Sequence, residues 1–283
     1  KKKTVVVVGG GPAGMEAALR AHNLGHEVTL FEKSDELGGQ LKVAWVPPGR
    51  EDIKYMIDYY QAEFDKLGVD YRLNTEATPE KVMELNPDIV YCGTGVHFSI
   101  PKVKGIDGSQ NCNICFADDA LAGDHVVGKK VVVVGAAATG VETAIWAAEK
   151  GAMDPEIAKF LAFYGDLTNI PCEELFERTF RGKRNVTLME YLPKIGSSIG
   201  KSTKWVMVAE LSKLNVDIRK YVDIVEFKDN AVYYKDRAED SGELKSIQNI
   251  DTFILATGVK PNRDFSKALK KYLKSHSDQI EKK

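Results

Sequence analysis

The apolar positions of the chain fall into short runs that alternate with stretches of helical spacing. Four consecutive valines follow Thr4, and a cluster of glycines follows them at once. An unbroken apolar run of this length is typical of a parallel strand that is buried on both faces. Helical spacing extends from Met15 to Leu24, where Gly25 ends it. The next apolar run, Glu27–Phe31, completes a predicted strand–helix–strand unit.

The same alternation continues along the chain. Thr78 is a suitable N-cap for a short helix, and Pro79 suits its first position. Predicted helices lie over 53–67, 78–85 and 203–214. Predicted strands lie over 69–73, 88–91, 185–189 and 251–255, and a β-meander over 221–227, 231–235 and 244–248. Residues 101–108 form a predicted connector, 151–184 an insertion with a candidate helix over 172–181, and 264–283 a solvated helix or frayed tail.

A repeat organises these elements. Residues 4–18 have a close echo at 130–144, in which the valine run, the outer glycines of a Gly-x-Gly-x-x-Gly motif and a following glutamate all recur. The first glycine makes a tight turn, the second lets backbone approach a pyrophosphate, and the third lets helix and strand pack closely. The helix then presents free N–H groups and its positive dipole end to that pyrophosphate. Two copies predict two nucleotide-binding units, although Ala137 replaces the second glycine in the second copy and its methyl group is expected to weaken binding.

An acidic residue ends the second predicted strand of each unit. Glu32 follows Gly14 at close to the spacing of about 20 residues expected for an acid that holds ribose hydroxyls. Glu190 occupies the corresponding strand end beyond the insertion. A carboxylate there repels a 2′-phosphate, which favours NADH over NADPH, while Lys194 and Lys201 leave the alternative open.

Composition narrows the class of protein. A length of 283 residues suggests about two domains, and 43% hydrophobic with 28% charged residues argues against disorder. The net charge of −2 gives no reason to expect nucleic-acid binding. No apolar run approaches the roughly 20 residues of a membrane span, and no signal peptide is expected before Thr4. Four cysteines form no disulfide framework, so a cytoplasmic location is expected.

Cys112 and Cys115 form a Cys-x-x-Cys pair before the second unit. Such a pair permits an alternative function, in which hydride passes from a flavin to a disulfide as in a thioredoxin reductase. A structural metal site needs two more ligands, and Cys92, His97 and His125 show no suitable spacing, nor does Cys172. No metal site and no catalytic side chain is therefore predicted.

Several motifs together carry a resemblance to a known family. These are Glu32-Lys33, Leu37-Gly38-Gly39-Gln40, Pro48-Gly49-Arg50, Asn86-Pro87-Asp88, Thr94-Gly95, Gly135 to Glu142, Gly200-Lys201-Ser202-Thr203 and Ala256-Thr257-Gly258 through Pro261-Asn262. The chain resembles the C-terminal FAD/NAD(P)-binding half of the old yellow enzyme-related NADH:flavin oxidoreductases, the enoate reductase and 2,4-dienoyl-CoA reductase group. These belong to the flavoproteins with two dinucleotide-binding domains.

The resemblance implies that the first unit binds FAD and the second NADH, which passes a hydride to the flavin. It implies that electrons continue through a 4Fe-4S cluster to FMN in a barrel domain that reduces an enoate or enoyl-CoA substrate. The barrel and its cysteine cluster are absent from this sequence, as is the family's Gly-Asp segment that closes the FAD site. The chain is therefore expected to be part of a larger polypeptide or to act with a partner chain.

The predicted fold class is α/β, with two Rossmann-like doubly wound dinucleotide-binding domains, the second inserted in the first, and a small β-meander. The FAD-binding domain is predicted over 1–104 plus 250–283, and the NADH-binding domain over 105–249. A non-catalytic flavin-binding relay or scaffold is a further alternative, and a homo-oligomer is neither required nor excluded. The predicted cofactor-binding residues are Gly9, Gly11, Pro12, Ala13, Gly14, Glu32, Lys33, Gly39, Gln40, Arg50, Thr94, Gly95, Gly135, Ala137, Thr139, Gly140, Glu142, Glu190, Thr257 and Gly258.

Overall fold

The computed structural model describes residues 1–164, 171, 173–174, 179, 181–239 and 241–276. These residues divide into two compact units. Unit one contains residues 1–45, 49–97 and the C-terminal part from 259, and unit two contains 46–48 and 98–258. The chain therefore completes unit two before it returns to unit one.

The helices and strands alternate as the apolar pattern predicts. The first 98 residues contain β1 (Thr4–Val8), α1 (Pro12–Asn23), β2 (Glu27–Phe31), α2 (Leu41–Ala44), a 3-10 turn (Glu51–Ile53), α3 (Lys54–Leu67), β3 (Asp70–Arg72), α4 (Pro79–Glu84), β4 (Ile89–Cys92) and β5 (Val96–Phe98). Next come β6 (Ile114–Phe116), α5 (Ala117–Ala122), β7 (Lys130–Val134), α6 (Ala138–Glu149), α7 (Pro155–Tyr164), β8 (Asn185–Glu190), α8 (Lys201–Lys213) and β9 (Asp217–Lys220). The remainder contains β10 (Val222–Lys228), β11 (Ala231–Asp236), β12 (Leu244–Ile247), β13 (Thr252–Leu255), β14 (Val259–Pro261) and α9 (Asp264–Ser275).

Each unit is built on a parallel sheet. In unit one the strand order is β3-β2-β1-β4, and in unit two it is β6-β13-β7-β8-β9. The registers correspond, because Val5 pairs with Val28 and Ile89 as Val131 pairs with Val186 and Thr252. In unit one β1 lies between β2 and β4, and in unit two β7 lies between β8 and β13. The strand order therefore reverses at β1 and at β7. A crevice forms there at the carboxyl ends of the strands, where ligands bind in such folds.

The valine runs supply the centre of both cores. In unit one, Val5 and Val7 pack with helices α1 and α3, while Val6 and Val8 face the side covered by α4 and α9. In unit two, one sheet face packs on α5, α6 and α8, and the opposite face packs on the antiparallel meander β10-β11-β12. Alternate side chains of each valine run thus point to opposite faces of the sheet, as strand geometry requires.

The α/β class with two Rossmann-like sheets is confirmed, but one strand is misplaced in the sequence interpretation. Residues 250–255 were predicted to belong with unit one, yet β13 pairs in parallel with β7 and β6 of unit two. The reason is the repeat itself, since β13 stands to β7 as β4 stands to β1.

Other differences are smaller. Helix α1 begins at Pro12 rather than Met15, and strand β9 was not predicted at all. The Lys-rich segment after 264 is a helix with an inward side, because Leu269 is buried and Phe265 packs under the sheet of unit one. The candidate helix over 172–181 falls largely outside the described residues. Within the described residues, no helix has the length and apolar character needed to cross a bilayer.

Candidate nucleotide-binding sites

The first glycine loop joins β1 to α1 and admits glycine alone at two positions. Gly9 has a φ of +103°, and a Cβ there would lie 2.3 Å from the carbonyl oxygen of Gly93. A Cβ on Gly14 would lie 1.8 Å from the carbonyl oxygen of Gly9. The turn and the close approach of helix to strand therefore both depend on the missing side chains.

Glu32 directly follows β2 and is hydrogen-bonded to this loop. Its side chain is only 8% exposed, and its Oε2 accepts a hydrogen bond of 2.6 Å from the amide of Gly10. Its Oε1 accepts from the amide and the hydroxyl of Ser34, at 2.8 and 2.7 Å. Hydrogen bonds to an ionised carboxylate are the stronger kind, so they hold the loop and the strand end in a fixed relation.

The second glycine loop, between β7 and α6, reproduces this geometry. A Cβ on Gly135 would lie 2.4 Å from the carbonyl oxygen of Ala256, and one on Gly140 would lie 1.7 Å from that of Gly135. The Oε2 of Glu190 accepts from the amide of Ala136 at 2.6 Å, and its Oε1 accepts from the amide of Leu192 at 2.8 Å. Both glutamates thus bind backbone in addition to the ribose contact that the spacing predicts.

Ala137 fits the second loop without distortion. Its φ and ψ are −72° and −164°, close to the −75° and −179° of Gly11 at the matching position. This is extended backbone, which any residue adopts. A Cβ on Gly11 would itself have no neighbour nearer than 3.9 Å. Alanine at this position therefore leaves the path of the backbone unchanged.

The two helices begin differently. The first position of α1 is Pro12, which has no N–H, while the amide of Ala138 at the start of α6 donates to the Oγ of Ser198 at 2.9 Å. Helix geometry leaves the next two amides of each helix without a partner inside the helix. These are the amides of Ala13 and Gly14 in α1 and of Thr139 and Gly140 in α6. They provide the donors that a pyrophosphate requires.

A cavity of about 480 Å³ opens beside the second loop, within unit two. Its lining includes Gly135, Ala137, Glu190 and Thr257 among the predicted residues, together with Tyr191 and Asp223. This volume lies in the range of small-molecule and cofactor sites. The cavity occupies the crevice at the carboxyl ends of the strands, as the fold predicts.

Other predicted residues of unit one lie around the first loop. A Cβ on Gly39 would lie 2.9 Å from the Cα of Gly11, so the Leu-Gly-Gly-Gln segment packs directly on the glycine loop. Gln40 directly precedes α2, and Lys33 is exposed beside Glu32. Arg50 lies at the start of the 3-10 turn, outside the glycine loop.

The two predicted threonines bind backbone. Thr94 donates to the carbonyl of Asn262 at 2.9 Å, and Gly95 accepts from the amide of Asn262. Thr257 donates to the carbonyl of Ser99, whose amide donates to the carbonyl of Gly258. Each threonine hydroxyl is therefore committed as a donor, and only its oxygen lone pairs remain for a cofactor.

Three residues of the loops were absent from the predicted set. Gly10 donates to Glu32, Gly93 places its carbonyl against Gly9, and Ser198 caps α6. Gly93 could have been found from the repeat, because it matches Ala256 of the second unit. Ser198 gave no local signal, since its contact depends on a loop distant in sequence. Glu142 lies within α6, C-terminal to the capped end of that helix.

The cysteine pair is not arranged as a redox dithiol. Cys112 and Cys115 are both free and buried, and they lie in clusters on opposite faces of the unit-two sheet. Burial raises the pKa of the Cys115 thiol to about 12 and also raises the pKa of Cys112. Because the thiolate is the reactive species, both side chains are suited to packing rather than to disulfide exchange. Within the described part of the chain, no three His, Cys, Asp or Glu side chains are grouped to hold a metal ion.

The paired loops, the strand-end glutamates and the two parallel sheets define a class of protein that binds two dinucleotides. Residues 3–280 match the family described as pyridine nucleotide-disulphide oxidoreductase. The chain belongs to this family, and its membership implies binding of FAD and NAD(P)H.

Known proteins place it more closely. It is 35% identical over 269 residues to a metal reductase of Desulforamulus reducens, covering 94% of this chain and 39% of that protein. It is 37% identical over 209 residues to an NADH oxidase of Thermoanaerobacter brockii, covering 72% of this chain and 32% of the relative. A solved 2-naphthoyl-CoA reductase matches with a TM-score of 0.76 and 30% identity, covering 95% of this chain and 35% of that one. The resemblance to enoate-reductase-type flavoenzymes is confirmed, and the chain spans less than two fifths of each of these relatives.

Proposed function

We propose that this chain is the FAD- and NADH-binding part of an enoate-reductase-type flavoenzyme. In this proposal unit one binds FAD at the loop between Gly9 and Gly14, and unit two binds NADH at the loop between Gly135 and Gly140. One observation carries it: in both units a glycine-loop amide donates a 2.6 Å hydrogen bond to the glutamate that ends the second strand. Both cofactors carry adenosine and a pyrophosphate, so two sites of one geometry suit them.

The residues of each loop fit the cofactor that we assign to it. The unpaired amides at the start of α1 and α6 point their N–H groups and helix dipole toward a pyrophosphate. The Oε2 of Glu32 and the Oε2 of Glu190 each accept one hydrogen bond from backbone, which leaves the second lone pair of that oxygen for a ribose hydroxyl. The negative charge of Glu190 at the cavity wall opposes a 2′-phosphate, which supports NADH as the physiological donor.

When bound, FAD supplies the redox chemistry by accepting a hydride from NADH and releasing electrons one at a time. The chain supplies placement and electrostatics. No side chain is proposed as acid or base, because hydride transfer between two cofactors requires neither.

The electrons are proposed to continue to a 4Fe-4S cluster and an FMN in a barrel domain, in the same or a partner chain. That domain would reduce an enoate or enoyl-CoA type substrate. Two findings support this: the chain spans under two fifths of each of the three relatives described above, and the solved one is named 2-naphthoyl-CoA reductase. The low cysteine content supports a cytoplasmic location.

The test is an anaerobic titration of the purified protein with NADH. We expect a yellow protein whose bound flavin is FAD and whose visible absorbance bleaches on addition of NADH. A flavin that stays oxidised would instead favour the relay or scaffold function. A protein that binds neither FAD nor NADH would refute the proposal.

A dithiol reductase is the second candidate, and alkylation separates it from the first. Treating the native protein with iodoacetamide should leave NADH-dependent reduction of an artificial acceptor intact, because Cys112 and Cys115 are buried and un-ionised. Mass spectrometry of the treated protein would show which thiols reacted. Loss of activity that follows modification of these two thiols would favour the dithiol function.

A further inference from the structure

An arginine that no motif assigns contacts two residues that line the unit-two cavity, Tyr191 and Asp223. The guanidinium of Arg237 lies 4.4 Å from the ring centroid of Tyr191 and 4.6 Å from that of Tyr221. Its Nε lies 3.5 Å from the Oδ2 of Asp223. Arg237 directly follows β11 in the meander, so only the fold brings it beside the residue after Glu190. No arginine directly follows Glu190 in the sequence, so the sequence around Glu190 gives no sign of this cation.

Two of its three partners line the cavity that we propose as the nucleotide site. Tyr191 and Asp223 both line the cavity, as does Glu190. In dinucleotide folds the acid at this strand end holds the ribose 2′-hydroxyl of NADH, and a nearby arginine accommodates the 2′-phosphate of NADPH. Arg237 contacts Tyr191, the residue directly after that acid, and two aromatic rings and a carboxylate surround its charge.

The backbone around Arg237 is also constrained. Tyr221 has a φ of +59°, in the left-handed region that is unusual for a bulky side chain. Its amide donates to the carbonyl of Leu192 at 3.1 Å, and its carbonyl accepts from the amide of Arg237 at 2.9 Å. This residue thus ties the loop after Glu190 to Arg237. Such strain persists only where the surroundings impose it, and it is concentrated at functional sites.

We infer that Asp223 and Arg237 form the pair that sets the preference of this site for NADH over NADPH, an inference that rests on the proposed NADH site. Asp223 binds the guanidinium and adds a second carboxylate to the cavity wall beside Glu190. The tyrosine rings hold the cation by stacking. A 2′-phosphate therefore meets negative charge, while the nearby arginine is already engaged.

The experiment measures dissociation constants of the purified protein for ADP-ribose and for 2′-phospho-ADP-ribose. These probes contain the discriminating group and need no flavin chemistry. We expect the wild type to bind ADP-ribose more tightly. The variant Asp223→Asn removes the carboxylate that engages Arg237 while the tyrosine rings keep the guanidinium in place, and a charge-assisted contact to phosphate should then improve the relative affinity for 2′-phospho-ADP-ribose about tenfold. Lys102, which also lines the cavity, is unchanged in every variant and cancels from the comparison.

The double variant Asp223→Asn/Arg237→Ala identifies the cation. We expect it to lose the gain, whereas a gain that persists would show that the Asp223 charge alone matters and would overturn the pairing. Asp217→Asn is the matched control, because Asp217 pairs with Arg219 at 2.9 Å and Arg219 lies over the ring of Tyr234, outside the cavity lining. It should leave the ratio of affinities unchanged.

The outcomes separate this inference from the function on which it rests. Wild-type protein that binds ADP-ribose but shows no gain in Asp223→Asn would refute the specificity pair alone. Wild-type protein that binds neither probe would refute the nucleotide site itself.

Discussion

Units one and two share four strands but differ in what covers them. The order β3-β2-β1-β4 in unit one corresponds to β9-β8-β7-β13 in unit two. All four residues of β13 are buried, with β6 paired along its outer edge. In β4 the side chains of Ile89 and Tyr91 are each 41% exposed, and no strand among the described residues pairs with its outer edge. The four shared strands carry the nucleotide loops in both units, and β6 of unit two has no counterpart in the sheet of unit one.

The second sheet face shows the same contrast. In unit two it is covered by the meander, whose Phe227 packs against Phe253 with ring centroids 5.1 Å apart. In unit one the corresponding face packs on α4 and α9, through Val82 and Phe265. Both solutions leave a glycine loop of one shape at the strand ends. The cover is thus interchangeable, while the loop geometry is not.

Alanine at the third glycine should have the largest effect in either unit. In Gly140→Ala the new Cβ would lie 1.7 Å from a backbone oxygen, and in Gly14→Ala 1.8 Å. We expect each to lower the free energy of unfolding by about 3 kcal/mol or more and to abolish nucleotide binding in its own unit. Denaturant unfolding and separate FAD and NADH titrations measure this. Gly200→Ala is the control, because the nearest atom to its Cβ is 3.7 Å away. Loss of NADH binding in Gly14→Ala alone, with FAD binding retained, would reverse our assignment of the units.

Truncating the cover should affect unit two more than unit one. Phe227→Ala removes a fully buried ring, and we expect a loss of about 3 kcal/mol. Leu269→Ala on α9 removes a side chain at the margin of burial, 8% exposed, with an expected loss of about 2 kcal/mol. Guanidinium titrations followed by separate probes in each unit would measure both. Equal losses of stability would contradict the contrast between the meander that covers unit two and the helices α4 and α9 that cover unit one.

Removing the cap on α6 should have a smaller effect. Ser198→Ala leaves the Ala138 amide without its 2.9 Å partner, and we expect a loss of about 1 kcal/mol in the unfolding free energy. Ser198→Thr keeps the hydroxyl and should restore stability. The corresponding position of α1 needs no such cap, because Pro12 has no N–H. An unchanged midpoint in Ser198→Ala would show that water replaces the cap fully.

Exchanging the second residue of the motif should have the smallest effect. Gly11→Ala and Ala137→Gly place either residue in nearly the same extended backbone. We expect each to change the unfolding free energy by less than about 1 kcal/mol. Thermal unfolding measures the stability, and FAD and NADH titrations show whether the methyl group obstructs either pyrophosphate. A large destabilisation by Gly11→Ala would contradict the equivalence of the two loops.

Most of the fold could be predicted from the sequence because the signals for these elements are local. The valine runs, the helix start at Thr78 and Pro79, and the three meander strands all depend on residues within one element. The missed strand β9 is short and polar, and Asp217–Lys220 carries little apolar pattern. Strand β13 was recognised but given to the wrong unit, because strand pairing is not visible in one segment.

The candidate site also has features that the sequence determines and features that only the tertiary structure decides. The chain alone determined that a glycine turn occurs twice and that an acid ends each second strand, since both follow from spacing within a strand–helix–strand unit. Tertiary structure decided that those acids bind loop amides, that Ser198 caps α6 and that Cys112 and Cys115 lie on opposite sheet faces. It also brought Arg237 to the ring of Tyr191. These contacts join segments far apart in the chain, and only the packing of the sheets and loops fixes such distances.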